Sequence, residues 1–194
     1  MTLFDLLFIA VFLASVVTLL TSAVQFLRGH VASAWRILRV WLICAAAYMG
    51  IVVVTSLIKP RRVMNIGELQ CADDWCIGVE SGSRKQTGPK ATYAVTLRLS
   101  SRALRVTQRE QGVVVYLIDN KGRRYDPLPD PSAVPISVLL HPQESVLAKR
   151  VFETPGDTNV TGLVIAREGG FPIGWLIIGD EAWFRKPTLV RFPQ

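Results

Sequence analysis

Two apolar stretches without a charged residue, at positions 6–24 and 40–58, lie in the first third of the chain. A helix rises about 1.5 Å per residue, so each stretch is long enough to cross the roughly 30 Å hydrocarbon core of a bilayer. The sequence therefore predicts two transmembrane helices. A cleaved signal peptide is the alternative for the first stretch, but no basic residue precedes it, its apolar run is long and a second stretch follows.

The segment between the two stretches, residues 28–39, is expected to be a short linker that pairs the helices antiparallel. Pro60 is expected to end the second helix. Small residues recur every four positions on both helices and predict packing stripes, within the hairpin or against another membrane protein. These residues are Ala10, Ala14, Thr18 and Ser22 on the first helix, and Ala46 and Gly50 on the second.

The net charge of +7 is concentrated next to the apolar stretches. Six basic residues flank them, at positions 28, 36, 39, 59, 61 and 62, whereas residues 63–194 contain 16 basic and 14 acidic side chains. Basic residues beside apolar spans are typical of contact with lipid headgroups. This distribution indicates membrane lipid as a partner and argues against nucleic acid.

Beyond residue 62 the pattern changes to short alternating runs separated by turn residues, as in Thr92 to Leu99. Residues 63–194 are therefore expected to form one all-β domain, an antiparallel sandwich. Turns are expected at 81–83, 119–122, 127–131, 155–157 and 169–170. Strands are expected at 76–80, 92–99, 104–107, 113–118, 123–125, 136–140, 146–153, 160–166, 175–178 and 188–192.

Several of these segments resemble a bacterial family of membrane-anchored proteins and lipoproteins with extracytoplasmic immunoglobulin-like domains of unknown function. The similarity covers residues 67–165 and lies in the segments 76–79, 95–101, 117–125, 140–145 and 151–155. Gln143 stands where that family has glycine, and residues 169–194 have no counterpart in it. The resemblance implies an immunoglobulin-like sandwich outside the cytoplasm, and it implies no activity.

Cys71 and Cys76 are separated by four residues that can form a turn, which favours a disulfide across it. This pair has three alternative interpretations. A zinc site would need further ligands, and only His30 and His141 are available. A redox pair has two intervening residues, not four. Two reduced thiols would be expected in a cytoplasmic domain.

The orientation of the domain depends on these cysteines. Basic residues lie both in the linker and after the second helix, so charge alone decides little, although the N-terminus carries none. A disulfide persists in an oxidising compartment. The sequence thus predicts a multi-pass protein of the cytoplasmic (inner) membrane, with residues 1–62 as the hairpin and residues 63–194 as an extracytoplasmic domain.

Catalytic chemistry is weakly supported by the sequence. His141 precedes a proline and is expected to be an exposed turn residue, without a nucleophile motif nearby. The acid pairs Asp73–Asp74 and Asp180–Glu181 are expected to be solvated, not to bind calcium. We therefore expect a protein that is not an enzyme and has no cofactor or metal.

Aromatic residues near turns suggest a binding surface instead. Trp183, Phe184, Arg185 and Lys186 combine aromatic bulk with charge and form a candidate contact patch. Trp75 and Trp175 also lie near turns, and core packing is the alternative for all these rings. The expected function is an interaction or assembly module. The alternative is an accessory subunit that docks in a membrane complex through its hairpin, with the β domain as a cap.

Overall fold

The computed structural model describes residues 3–169 and 186–192. Two compact units are distinguished by their contacts. The first contains the helices up to Pro60, and the second contains the strands from Arg61 onward.

Helix α1 spans Leu3–Leu27 and helix α2 spans Val31–Ile58. Gly29 ends the first helix in the left-handed conformation, with φ of 81°. The His30 N–H donates to the Gln25 carbonyl at 2.9 Å and the Gly29 N–H to Phe26 at 3.0 Å, the two bonds of a Schellman motif. The predicted linker at 28–39 is therefore wrong, because only residues 28–30 separate the helices.

Arg36 and Arg39 lie in the first turns of α2, not in a loop. A charge marks the edge of a lipid-compatible stretch, but it does not stop an α-helix, since arginine is a good helix former. The prediction for Pro60 holds: α2 ends at Ile58, and Lys59 takes the extended backbone that a following proline requires. Both helices are long and apolar enough to cross a membrane.

The small-residue stripes meet the partner helix only in part. The Ser22 hydroxyl donates to the Ala34 carbonyl on α2 at 3.1 Å, and Thr18 is half-buried. Ala10, Ala14, Ala46 and Gly50 are exposed, and a Cβ at Gly50 would meet nothing within 4 Å. Of these four residues, Ala14 lines the groove between the two helices, so the fourfold repeat coincides with the contact face only in part.

The β unit is a two-sheet sandwich. One sheet has the strand order β1-β9-β8-β5-β6 and the other β2-β3-β4-β7. The strands are β1 Val63–Met64, β2 Leu69–Ala72, β3 Trp75–Thr87, β4 Lys90–Ser101, β5 Val113–Asp119, β6 Arg124–Tyr125, β7 Ser145–Pro155, β8 Val160–Arg167 and β9 Thr188–Arg191. Neighbours pair antiparallel except β1 and β9, which are parallel. The fold is thus a sandwich, but the prediction of purely antiparallel pairing is wrong at this pair.

The core lies between the sheets and consists of the inward-facing side chains of strands from both sheets. In β4, Tyr93, Val95, Leu97 and Leu99 are buried while the residues between them are only half-buried, as the alternation predicts. Phe152 from β7 and Leu117 from β5 complete the same cluster with no exposed surface. Burial on this scale stabilises by about 1.5–3 kcal/mol for each large apolar side chain.

Two sequence expectations for strands and one for a turn are wrong. Residues 104–107 and 136–140 form no strand, although Gln108 and Leu140 make one isolated bridge. Residues 81–83 form no turn: β3 continues through them, with a bulge between Val79 and Ser81. The chain reverses at Gly88 and Pro89, where Gly88 has φ of 60°. The predicted hairpin of β5 and β6 is confirmed, and the strand expected at 175–178 lies outside the described residues.

The two ends of the sandwich differ in what they carry. We call the end at which the chain enters the sandwich the tether end: Arg61, two residues before β1, donates from Nε to the carbonyl of Pro187, which precedes β9, at 2.8 Å. The 73–74 turn and the 102–112 loop are at this end, because Trp75 pairs with Ser101 at the end of β4 and the loop leads to Val113, which pairs with Arg167. The opposite end, the far end, carries the turns 88–89, 120–122 and 156–159.

Candidate functional site

A cleft of about 550 Å³ opens at the far end of the sandwich. Arg84 and Gly82 come from β3, and Tyr93 comes from the paired strand β4. The turn 156–159 forms the opposite wall, and Phe192 follows β9 into the cleft. In the first part of β3 the inner face carries apolar side chains. Near the far end this face carries Gly82, Arg84 and Gln86 instead, which pair with Val95, Tyr93 and Ala91 of β4, and the cleft opens beside these residues.

Two stacked aromatic rings line one side of the cleft. The centroids of Tyr93 and Phe192 are 6.3 Å apart, with an angle of 24° between the ring planes. Gly82 makes room for this arrangement, since a Cβ there would lie 3.0 Å from the Cε1 atom of Phe192. The glycine in the middle of β3 thus indicates a close ring contact, not the turn that the sequence suggested.

Arg84 supplies a positive charge beside the rings. Its guanidinium carbon is 5.8 Å from the Tyr93 ring centroid, within cation–π range. The Nη2 group donates to the Gly156 carbonyl at 3.0 Å. The Gly156 N–H donates to Pro89 at 2.7 Å, so the two turns that flank Arg84 are joined to each other. The side chain is held at one nitrogen and remains exposed.

Two further side chains define the polarity of the wall. The Thr158 hydroxyl is buried without a hydrogen-bond partner among the described residues, and an unpaired buried hydroxyl is energetically costly. Asp157 is exposed on the rim, and its charge raises the pKa of Arg123. The arrangement is suited to binding, because it combines a guanidinium, an aromatic surface and a hydroxyl.

Asp119 organises the turn next to the cleft. Its carboxylate accepts hydrogen bonds from the backbone N–H groups of Lys121 and Arg123 at 2.9 and 2.8 Å. It also accepts bonds from Arg123 Nε at 2.6 Å and the Tyr125 hydroxyl at 3.2 Å. Burial opposes ionisation, but the bonds from Arg123 and Lys121 outweigh it and lower the pKa of Asp119 to about 2. The adjacent Asn120 N–H donates to Asn159, which ties this turn to the cleft wall.

The predicted disulfide between Cys71 and Cys76 is present. The two residues are directly opposed in the ladder of β2 and β3, with Cα atoms 3.9 Å apart. Asp73 and Asp74 form the intervening turn, where Asp73 has φ of 51°. Trp75, considered as a surface aromatic, is 2% exposed and belongs to the core, so the alternative interpretation is correct for this ring.

His141 is exposed at the tether end, in the turn that precedes β7. The turn is closed by Glu144, whose carboxylate accepts a bond from the His141 N–H at 2.7 Å. Gln143 has φ of 61°, the left-handed conformation that glycine adopts most easily.

The remaining predicted site residues fall largely outside the described chain. Trp183, Phe184, Arg185, Trp175, Asp180 and Glu181 are among the undescribed residues, whereas Lys186 is described and exposed. Within residues 3–169 and 186–192, no group of three potential metal ligands is found.

A second concavity lies between the helices. It is an apolar groove of about 1070 Å³, lined by residues of α1 and α2 such as Phe12, Trp41 and Cys44, with Arg36 at one end. The Trp41 indole nitrogen is buried there without a hydrogen-bond partner among the described residues.

The sequence pointed to the disulfide but not to the cleft. Gly82 and Phe192 are more than a hundred positions apart, so no local pattern links them. The available signal was Gly82, but with Ser81 and Ser83 on either side it predicts a turn, and no such pattern includes Arg84.

Comparison with known proteins found similarity only among solved structures. No protein-family model matches the chain, and no curated protein matches it. An uncharacterised β-sandwich protein from Clostridium difficile 630 has a TM-score of 0.45 and 12% identity, over 70% of this chain and 96% of that one. A secreted protein from Mycobacterium tuberculosis has a TM-score of 0.43 and 12% identity, over 58% and 92%. A conserved hypothetical protein from Bacillus anthracis has a TM-score of 0.38 and 10% identity, over 53% and 88%.

Proposed function

We propose that this chain is a membrane-anchored binding protein, whose immunoglobulin-like β unit lies outside the cytoplasm and engages a partner through the cleft at its far end. The helices anchor the protein in the cytoplasmic membrane and contribute no chemistry. The β unit is not an enzyme but an interaction or assembly module.

Exposed apolar surface on the helices supports the anchor. Phe12, Leu20 and Ile43 have 57%, 62% and 70% of their surface exposed, and most other large side chains of α1 and α2 are similar. A soluble protein rarely leaves so large a continuous apolar surface in water. A lipid environment would cover this surface without any further protein contact.

The disulfide supports the extracytoplasmic position. Cys71 and Cys76 are bonded across a two-residue turn, and such bonds persist where the surroundings are oxidising.

The side chains of the cleft carry the binding proposal. Strand order and register put the cleft at the far end of the sandwich, between β3, β4 and the turn 156–159. The guanidinium of Arg84 beside Tyr93 and Phe192 is the combination that is enriched at the energetic centres of protein interfaces.

A photocrosslinking amino acid introduced at three positions tests this function in native membranes. Asp157 is exposed on the cleft rim, and Lys149 is an exposed residue of β7 that does not line the cleft and serves as the matched control. We expect a discrete adduct from position 157 and none from Lys149. Equal adducts from both positions, or none from position 157, would contradict binding at the cleft.

The third position, Ala46, addresses the alternative in which the hairpin docks in a larger membrane complex. The observation that favours this alternative is the groove between the helices, together with the exposed small residues Ala46 and Gly50. A protein adduct from Ala46 with none from position 157 would favour docking through the hairpin, with the β unit as a cap.

A further inference from the structure

We propose that the loop of residues 102–109 at the tether end is a lipid-contact loop, which inserts aliphatic side chains into an anionic membrane surface while its arginines bind phosphate groups. This proposal rests on the membrane anchor proposed above, and it assigns a second attachment point to the β unit.

Exposed aliphatic side chains are concentrated in this loop. Leu104 and Val106 have 77% and 62% of their surface exposed, among the highest values in the β unit. Leu139, which is 52% exposed, lies opposite Arg109 at the end of the loop, because Gln108 and Leu140 pair antiparallel through two backbone hydrogen bonds of 2.8 Å. Three large aliphatic residues in contact with water are destabilising unless another surface covers them.

The loop is held rigidly at its base. Ala103 is buried, its N–H donates to the Ser101 hydroxyl, and the Arg102 N–H donates to the Asp74 carbonyl at 2.7 Å. The exposed side chains therefore project from a fixed platform, so contact with a surface requires little additional ordering of the backbone.

Arginines alternate with the aliphatic residues. Arg102, Arg105 and Arg109 are all exposed, and none forms an ion pair with a described residue. The acidic residues at the same end are Asp73, Asp74 and Glu144, whereas Glu110 is paired with Arg167 and Glu168 with Arg124. Arg61 and Arg62 precede β1, so these arginines and those of the loop outnumber the three acids. Guanidinium groups bind phosphate through paired N–H donors, and basic residues near an anionic leaflet are attracted to it.

The connection to α2 is short. The chain enters the sandwich from the tether end, where Arg61 Nε donates to the Pro187 carbonyl at 2.8 Å, and Val63 begins β1 five residues beyond the last residue of α2, Ile58. Five residues reach at most about 18 Å when fully extended. A membrane that contains α2 therefore keeps the tether end close to its surface, where side chains of this chemistry, aliphatic with flanking arginines, are stabilised at the headgroup boundary.

Depth measurement by spin labelling tests the inference on the full chain in lipid nanodiscs that contain phosphatidylglycerol and phosphatidylcholine. A nitroxide is attached at Thr107→Cys, which preserves every residue named above, and separately at Lys121→Cys in the far-end turn as the matched control. Both use a Cys44→Ser background under non-reducing conditions. Power saturation compares access of oxygen, which partitions into lipid, with access of a water-soluble nickel chelate.

We expect the oxygen-to-nickel ratio at position 107 to exceed that at position 121 several-fold. It should fall to the value of position 121 when Leu104→Ser and Val106→Ser are combined, and also in nanodiscs of phosphatidylcholine alone. Nickel access at 107 equal to that at 121 would overturn the inference, and so would an unchanged ratio in the double variant.

A label on the native Cys44 separates the two proposals. Cys44 is exposed on α2, within the apolar stretch. If Cys44 is accessible to oxygen while position 107 is accessible to nickel, the anchor is supported and the lipid-contact loop is wrong. If Cys44 itself is accessible to nickel, the membrane anchor fails, and the loop proposal that rests on it fails as well.

Discussion

Among the described residues, Asp119 is the one buried side chain that carries a charge, and its hydrogen bonds make the stability of the fold depend on pH in acid. Four hydrogen bonds hold its carboxylate in the ionised form, and the pKa falls from 3.8 to about 2. A lowered pKa means that the folded state binds the proton less readily than the unfolded state. The stabilisation by Asp119 is therefore complete above pH 4 and is lost as the pH falls towards 2.

Asp119→Asn should remove this pH dependence. The asparagine oxygen can still accept from the backbone N–H groups of Lys121 and Arg123, but its amide nitrogen cannot accept from the Arg123 side chain or the Tyr125 hydroxyl. We expect a lower melting temperature than wild type at pH 6, with the difference shrinking between pH 4 and 2. Thermal unfolding of both proteins across this range is the measurement.

Asp126→Asn is the matched control for this experiment. Asp126 is exposed and pairs with Arg124 at 2.7 Å, a surface contact that contributes little. The control should keep the acid dependence of wild type. A constant difference between wild type and Asp119→Asn from pH 6 to pH 2 would contradict the role of Asp119.

At the scale of elements, β2 and β3 form a hairpin that the disulfide fastens near the tether end. The bond closes a loop of about six residues, for which the loop-entropy relation gives a stabilisation of about 2 kcal/mol. Replacing both Cys71 and Cys76 by alanine should lower the free energy of unfolding by about this amount. Denaturant titration of the full chain in detergent measures it.

Wild type under a reducing agent provides the comparison, because it loses the bond but retains both side chains. It should lose a similar stability, whereas the double variant should not respond to the reductant. If the double variant matches oxidised wild type, the ladder of β2 and β3 alone fixes the hairpin and the bond adds nothing.

Elements were predictable where one local signal decided them. The β5–β6 hairpin follows from Gly122, whose φ of 78° only glycine adopts easily, and the end of α2 follows from Pro60. Strand β3 was not predictable past Val79, because Ser81, Gly82 and Ser83 have turn propensity, but pairing with β4 overrides it. The strand expected at 104–107 is wrong for a related reason: Leu104 and Val106 have the alternation of a strand, but both side chains are exposed to solvent.

For the whole molecule, the sequence predicted the division into an apolar helical part and a β sandwich, because each is determined by hydrophobic periodicity. It could not predict which features share an end of the sandwich. That depends on strand order, in which β9, the last strand described, pairs with β1, the first. The cleft and the 102–109 loop lie at opposite ends of the sandwich, because the two ends of β4 lead to the 88–89 turn and to the loop. The proposed lipid contact and the proposed partner binding therefore concern different ends.

The orientation of the whole chain is testable through its own disulfide. In intact cells, an impermeant thiol reagent should label Cys71 and Cys76 after mild reduction and not before, because an external domain is accessible but oxidised. A Cys71→Ala and Cys76→Ala variant, which retains Cys44, is the control for labelling at other sites. Protection of the pair in intact cells after reduction, with labelling on lysis without reductant, would put the β unit inside the cytoplasm. Binding through the cleft would then concern a cytoplasmic partner, and the arginines of the 102–109 loop would face the inner leaflet instead of the outer one.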